Sequence, residues 1–114
     1  MDRQQIGQAA EDLAVEFLKT RGLTVMLRNF RGRVGELDIV ARDGNTLVIA
    51  EVRARSSDRF GGAAASVDFR KQTRIRRTAA LLLQQHTRFA ALRVRFDVVV
   101  VNGTGVEWIK HAFT

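Results

Sequence analysis

The sequence predicts an α/β domain in which helices flank a central sheet, in the order α-β-β-β-α-β-β. Three observations predict it. Apolar residues recur at helical spacing near the N-terminus. β-branched residues crowd into short runs bounded by turn residues. A second helical stretch then divides the early strands from the late ones.

The first helix is expected over Gln4 to Arg21. Ile6, Ala9, Ala10, Leu13, Ala14, Phe17 and Leu18 fall at helical spacing, and Gly22 supplies a stop. Leu23 to Leu27 reads as a short strand. Arg28 to Gly35, with two glycines and three arginines, reads as a loop or strand edge. Glu36 to Arg42 and Thr46 to Arg55 are two strands around Asp43-Gly44-Asn45. Gly44-Asn45 suits a two-residue turn with glycine in the first central position. Ser56 to Ser66, with Gly61, Gly62 and three alanines, reads as a mobile loop. Val67 to Phe89 is the second helix, basic early and apolar later. Arg93 to Val101 is a β-branched strand, Asn102 to Gly105 a turn, and Val106 to Ile109 a last short strand. The chain shows no repeat, linker or low-complexity tract.

Composition narrows the chemistry. The chain has 114 residues, about one domain, with 46% hydrophobic and 27% charged residues, as in ordinary globular proteins. With no cysteine, neither a disulfide nor thiolate chemistry is available. His86 and His111 are too few for a typical zinc site and read as surface or helix-end residues. Trp108 reads as a half-buried packing residue. Ser56-Ser57 has no histidine partner in reach, which argues against a serine nucleophile. Met1 to Leu18 is polar and acidic, unlike a signal peptide, and no window is apolar enough for a membrane span. A cytoplasmic protein with no membrane partner is expected.

A net charge of +7 points to a polyanionic partner. Its distribution is more informative than the total. Between Asp68 and Asp97 no acidic residue occurs, yet Arg70, Lys71, Arg74, Arg76, Arg77, Arg88, Arg93 and Arg95 all do. A solvated basic helix face is the other reading of that run.

The central hairpin carries the candidate chemistry. If Gly44-Asn45 is the loop, Asp43 pairs with Thr46, Asp38 faces Glu51 and Glu36 faces Arg53. Alternation puts those last four on one face with Val40, Leu47 and Ile49. Leu37, Ile39, Ala41, Val48, Ala50 and Val52 form the other face as continuous core. Opposed carboxylates repel unless an arginine, a shared proton or a divalent cation neutralises them. Hard oxygen donors suit Mg²⁺ or Mn²⁺, which polarises phosphodiesters and acidifies water. Surface salt bridges, Glu36–Arg53 and Asp38 with an arginine, account for the same spacing. The spacing leaves both readings open.

Gly35-Glu36-Leu37-Asp38-Ile39-Val40-Ala41 followed by Glu51-Val52-Arg53-Ala54-Arg55 resembles the core motif of the PD-(D/E)XK nuclease superfamily. More narrowly, the chain resembles the YraN family, small bacterial proteins similar to Holliday-junction resolvases. Gly7 with Glu11 and Ala14, Gly22, Asn29-Phe30-Arg31, Phe60-Gly61, Val67, Lys71 and Arg74-Ile75 fit that pattern in order. Arg95-Phe96-Asp97-Val98-Val99 and Ile109-Lys110-His111-Ala112-Phe113 complete it. The resemblance implies one restriction-endonuclease-like domain over residues 1–114, with a mixed central sheet flanked by helices. It implies a metal-dependent DNA endonuclease using Mg²⁺ or Mn²⁺, with branched DNA as a candidate substrate, and a homodimer. Asp38 and Glu51 would be metal ligands, Glu11 a first-helix carboxylate reaching the same site, and Glu36 a residue just behind it. On periodicity alone, Glu11 is equally an ordinary solvated helix glutamate at the edge of the apolar stripe. Arg55, Arg70, Lys71, Arg74 and Arg77 would bind DNA.

One departure matters. The superfamily has lysine two residues after the second carboxylate, and this chain has Arg53. A guanidinium cannot act as a base, although it can stabilise a crowded phosphate. Arg53 is therefore the expected electrostatic stabiliser of a nuclease, or the mark of a weak or inactive DNA-binding module. Lys71 is an alternative source of a site lysine, although nothing in the sequence places it there. A third reading is an interaction subunit whose basic face meets an acidic protein.

Overall fold

The computed structural model describes residues 2–55 and 67–114. The reading of Ser56 to Ser66 as a mobile loop, and the Phe60-Gly61 pair, lie outside the described residues. The elements are α1 (Arg3–Thr20), β1 (Thr24–Arg31), β2 (Glu36–Asp43), β3 (Thr46–Ala54), α2 (Phe69–Gln85), a 3-10 turn (Thr87–Phe89), β4 (Arg93–Asn102) and β5 (Gly105–Phe113). The expected α/β order is found.

The five strands form one mixed sheet in the order β1-β2-β3-β4-β5. β1, β2 and β3 run antiparallel to one another, β3 and β4 are parallel, and β5 returns antiparallel to β4. The parallel pair requires a crossover, and α2 lies on that crossover. Each helix covers one face. Ala10, Ala14, Val15 and Leu18 of α1 pack on Ile39, Ala41, Val48, Ala50 and Val99. Ile75, Ala79 and Leu82 of α2 pack on Val40, Leu47, Ile49, Val98 and Val100.

Four expectations are corrected. The apolar stripe of α1 is rotated. Ile6 and Leu13 are exposed, while Glu11 joins Ala10, Ala14, Val15 and Leu18 on the buried side. The strand read as ending at Leu27 runs on to Arg31, because Arg28, Phe30 and Arg31 pair with Ile39, Leu37 and Glu36. Sheet pairing overrides turn-like composition there. The second helix is shorter than Val67 to Phe89. The Asp68 side chain caps it by accepting from the Lys71 amide at 2.8 Å, and His86 ends it. The last strand extends through Phe113 rather than stopping at Ile109.

Two glycines bring the β1–β2 connection onto α2. A Cβ on Gly32 would lie 2.9 Å from Leu81 Cδ2, and one on Gly35 3.0 Å from Thr78 Oγ1.

At the other end of the sheet, Asp97 is fully buried on β4. It accepts hydrogen bonds from Arg95 Nε and Nη2 (2.9 Å each), Trp108 Nε1 (2.8 Å) and the His111 amide (2.9 Å). The carboxylate thereby ties β5 to β4 where their register shifts. Trp108 also meets Phe17 edge-on at 6.3 Å, so it is a packing residue as expected. Removing a buried charge strands its partners and costs about 3–5 kcal/mol. Asp97→Ala is therefore expected to lose stability on that scale, read as a lower urea midpoint at unchanged m-value. Asp97→Asn, which keeps part of the acceptor set, should lose less.

Candidate active site

The β2–β3 hairpin forms as the sequence predicts at its tip. Asp43 pairs with Thr46, and Gly44 takes φ +60°, which glycine adopts without strain. The ladder continues through Val40–Ile49 to Ile39–Ala50. The next expected pairs, Asp38–Glu51 and Glu36–Arg53, are not ladder pairs. The Val52 amide donates instead to Asp38 Oδ2 at 2.9 Å. A carboxylate has taken the place of a backbone acceptor, and the two strands part there.

Facing changes at the same point. Leu37 belongs to the core under α2, whereas Ile39, two residues on, belongs to the core under α1. The expectation that Leu37 and Ile39 share a face is thus corrected. Strict alternation fails between these two residues, at the point where the β2–β3 ladder ends. β3 keeps its alternation, with Leu47 and Ile49 toward α2 and Val48, Ala50 and Val52 toward α1.

Three carboxylates, Glu11, Glu36 and Asp38, line one pocket of about 160 Å³, with Gly7, Ala10, Asn29, Val52 and Ala54 completing its wall. Gly7 lies one turn before Glu11 on α1 and leaves the approach to it open. Glu11 is 8% exposed and is held from β1. Asn29 Nδ2 donates to Glu11 Oε1 at 2.9 Å, and Arg28 Nε donates to the same oxygen at 3.2 Å. Arg28 also reaches Asp12 at 2.6 Å. Asn29 has φ +54°, a left-handed conformation that asparagine tolerates better than most residues. The periodicity of α1 could not reveal this clamp, because its donors come from a stretch that reads as a loop.

Glu51 lies behind the pocket, 5% exposed. It is in side-chain hydrogen-bond contact with Asp38, and its Oε2 lies 2.7 Å from Lys71 Nζ of α2. Burial, then the contact with Glu51 and its charge, push the Asp38 carboxyl up to about 8. The pair thus holds a proton at neutral pH, one of the three ways to relieve opposed carboxylates.

Glu36 is near Arg31 (3.8 Å), not paired with Arg53. Arg53 makes no ion pair among the described residues, and its Nε is buried without a hydrogen-bond partner. Arg70, Arg74 and Arg77 are exposed along one face of α2, at positions four and three residues apart. Arg55 is half-buried at the end of β3, and its Nη1 donates to the Ala54 carbonyl at 3.0 Å. Lys71 is distinguished from the other basic residues of α2 by its contact with Glu51.

The donor set suits a hard divalent cation. Asp38 and Glu51 offer adjacent carboxylate oxygens, and Mg²⁺ commonly uses one or two of these with water in its other positions. Among the described residues, no three His, Cys, Asp or Glu side chains gather into a ready-made metal cage. Glu11 shares the Asp38 pocket without closing on the pair.

The shared proton sets a pH dependence. An ordinary aspartate near 3.8 loses its proton on unfolding, while folded Asp38 keeps it up to about 8. Between those values the folded chain binds more protons, so its stability falls as pH rises. Asp38→Asn mimics the protonated form and removes that slope. In EDTA, its melting temperature should gain on that of the parent protein progressively from about pH 4 to pH 8. Parallel curves for the two proteins would contradict the shared proton.

The sequence model of Uncharacterised protein family UPF0102 matches residues 10–101, a span that includes Glu11, Asp38, Glu51 and Lys71. The chain is 45% identical over 114 residues to a UPF0102 protein of Enterobacter sp. (strain 638), covering 99% of this chain and 87% of that one. It is 47% identical over 112 residues to one from Pseudomonas entomophila, covering 94% and 91%. It is 49% identical over 111 residues to one from Ralstonia nicotianae, covering 94% and 85%. With the family model matching most of its length and relatives aligned nearly end to end, the chain belongs to the UPF0102 family.

Proposed function

We propose that this protein is a metal-dependent DNA endonuclease on a restriction-endonuclease-like scaffold. The observation that carries the reading is the contact between Asp38 and Glu51 where the β2–β3 ladder opens, beside a third carboxylate, Glu11. Buried, proton-sharing carboxylates at a pocket are uncommon as structural devices and common at functional sites. The basic face of α2 supports the choice of substrate.

Asp38 and Glu51 would hold Mg²⁺ or Mn²⁺, with Glu11 at the edge of the same pocket. When bound, such an ion polarises a phosphodiester and lowers the pKa of water. The other steps fall to the protein. Arg70, Arg74 and Arg77 bind backbone phosphates and orient the duplex. Arg28 and Asn29 hold the Glu11 carboxylate in one position. The Asp38–Glu51 pair would have to release its proton to hold such an ion with both carboxylates charged. Branched DNA is the favoured substrate, and a homodimer would match the two-fold symmetry of a junction.

A second reading is a DNA-binding module that cuts weakly or not at all. The lack of a preformed three-ligand cage among the described residues, together with Arg53, favours it.

The deciding experiment is cleavage of a labelled four-way junction, linear duplex and single strand with Mg²⁺, Mn²⁺ or EDTA. Metal-dependent cutting by the parent protein, reduced at least about 100-fold in Asp38→Ala, is the expected result. Tight binding without cutting in either protein supports the binding module instead. Salt dependence separates DNA from an acidic protein partner. Each of Arg74→Ala and Arg77→Ala should lower the slope of log K against log salt by roughly 1. An unchanged slope would remove α2 from the DNA interface.

A further inference from the structure

The second motif strand and the second helix each carry a cation that could serve the carboxylates, and the structure separates them. Arg53 lies two residues past Glu51 on β3. Its sheet neighbour is Val100, whose own partner across β5 is Glu107. Arg53 Nε and Glu107 Oε2 are both buried without hydrogen-bond partners among the described residues. Arg53 thus makes no ion pair there with Asp38 or Glu51.

Lys71 behaves differently. The Asp68 cap fixes the first turn of α2 by accepting from the Lys71 amide, and the side chain reaches back to Glu51 Oε2 at 2.7 Å. The Glu51 side chain is 5% exposed and that of Lys71 is 37% exposed. One side of the ammonium therefore meets a buried carboxylate while the other faces solvent, on the helix that carries exposed Arg70 and Arg74. An ammonium has three donors on a flexible stem, and Glu51 engages only part of that capacity.

The same contact has an electrostatic consequence. Lys71 neutralises the Glu51 carboxylate, which would also be a ligand for a divalent cation. Two positive charges at one carboxylate repel, so arrival of a cation favours movement of the ammonium toward a nearby anion. On an arginine-lined helix, that anion is a DNA phosphate.

We propose that Lys71, not Arg53, is the cation of the carboxylate site and couples its charge to DNA docking. Without a divalent ion it neutralises Glu51, and in the presence of ion and DNA it exchanges Glu51 for a backbone phosphate. The proposal rests on the endonuclease reading for its substrate, whereas the Lys71–Glu51 exchange is testable without cleavage.

The test compares Lys71→Met with Arg53→Met. Mn²⁺ alone is titrated against the full chain by calorimetry, and junction cleavage is measured in parallel. Removing the competitor should tighten Mn²⁺ binding several-fold in Lys71→Met, while its cleavage rate falls roughly 100-fold. Arg53→Met should leave Mn²⁺ affinity near that of the parent protein. If Lys71→Met fails to fold, Lys71→Gln provides the same loss of charge with a polar side chain. Weaker or unchanged Mn²⁺ binding in the Lys71 variants would overturn the proposal, as would tightening in Arg53→Met alone. If the parent protein binds Mn²⁺ but never cuts DNA, the endonuclease reading fails. The Mn²⁺ titration would still decide whether Lys71 competes for Glu51.

Discussion

Two carboxylates in contact inside a sheet, Asp38 and Glu51, are the constraint around which the candidate site is arranged. Their mutual repulsion must be relieved locally. The protein does so with a retained proton on Asp38, the Val52 amide at 2.9 Å and the Lys71 ammonium at 2.7 Å. Each device has a structural cost or requirement. The amide leaves the β2–β3 ladder, the strands part, and Lys71 must be delivered from a helix rather than from the strand.

The rest of the fold supplies those requirements. Gly32 and Gly35 allow the β1–β2 connection to approach Thr78, Leu81 and Arg74 closely, so α2 sits within reach of Glu51. α1 covers the opposite face and brings Glu11 to the Asp38 pocket, where Arg28 and Asn29 hold it. A sheet packed on both faces makes the position rigid. Val40, Leu47, Val48, Val98 and Val99 are all fully buried. A small domain can bury such carboxylates only if packing elsewhere offsets the cost of removing them from water.

Much of this was legible in the sequence, for identifiable reasons. The element order followed from hydrophobic periodicity, and the hairpin register from Gly44-Asn45, because a tight turn fixes pairing locally. The expected register holds as far as Ile39–Ala50 and stops one step short of Asp38 and Glu51. It could not show that their pairing would be side chain to side chain, because alternation assumes an unbroken pleat. β1 was read short because Arg28 to Arg31 look like a loop until β2 is beside them. Long-range partners were the least legible. Lys71 lies 20 positions from Glu51, and Arg28 lies 17 from Glu11, as fixed by tertiary packing alone. Arg53, by contrast, drew attention through its sequence position, while its buried Nε finds no partner among the described residues.

The central claim is that Asp38 and Glu51 share a proton that a divalent cation displaces. The most direct test is calorimetry of Mn²⁺ binding at pH 7 in buffers of different ionisation enthalpy. The account predicts release of about one proton per ion bound, and loss of that release in Asp38→Asn. A heat of binding independent of buffer, or proton release that persists in Asp38→Asn, would contradict it.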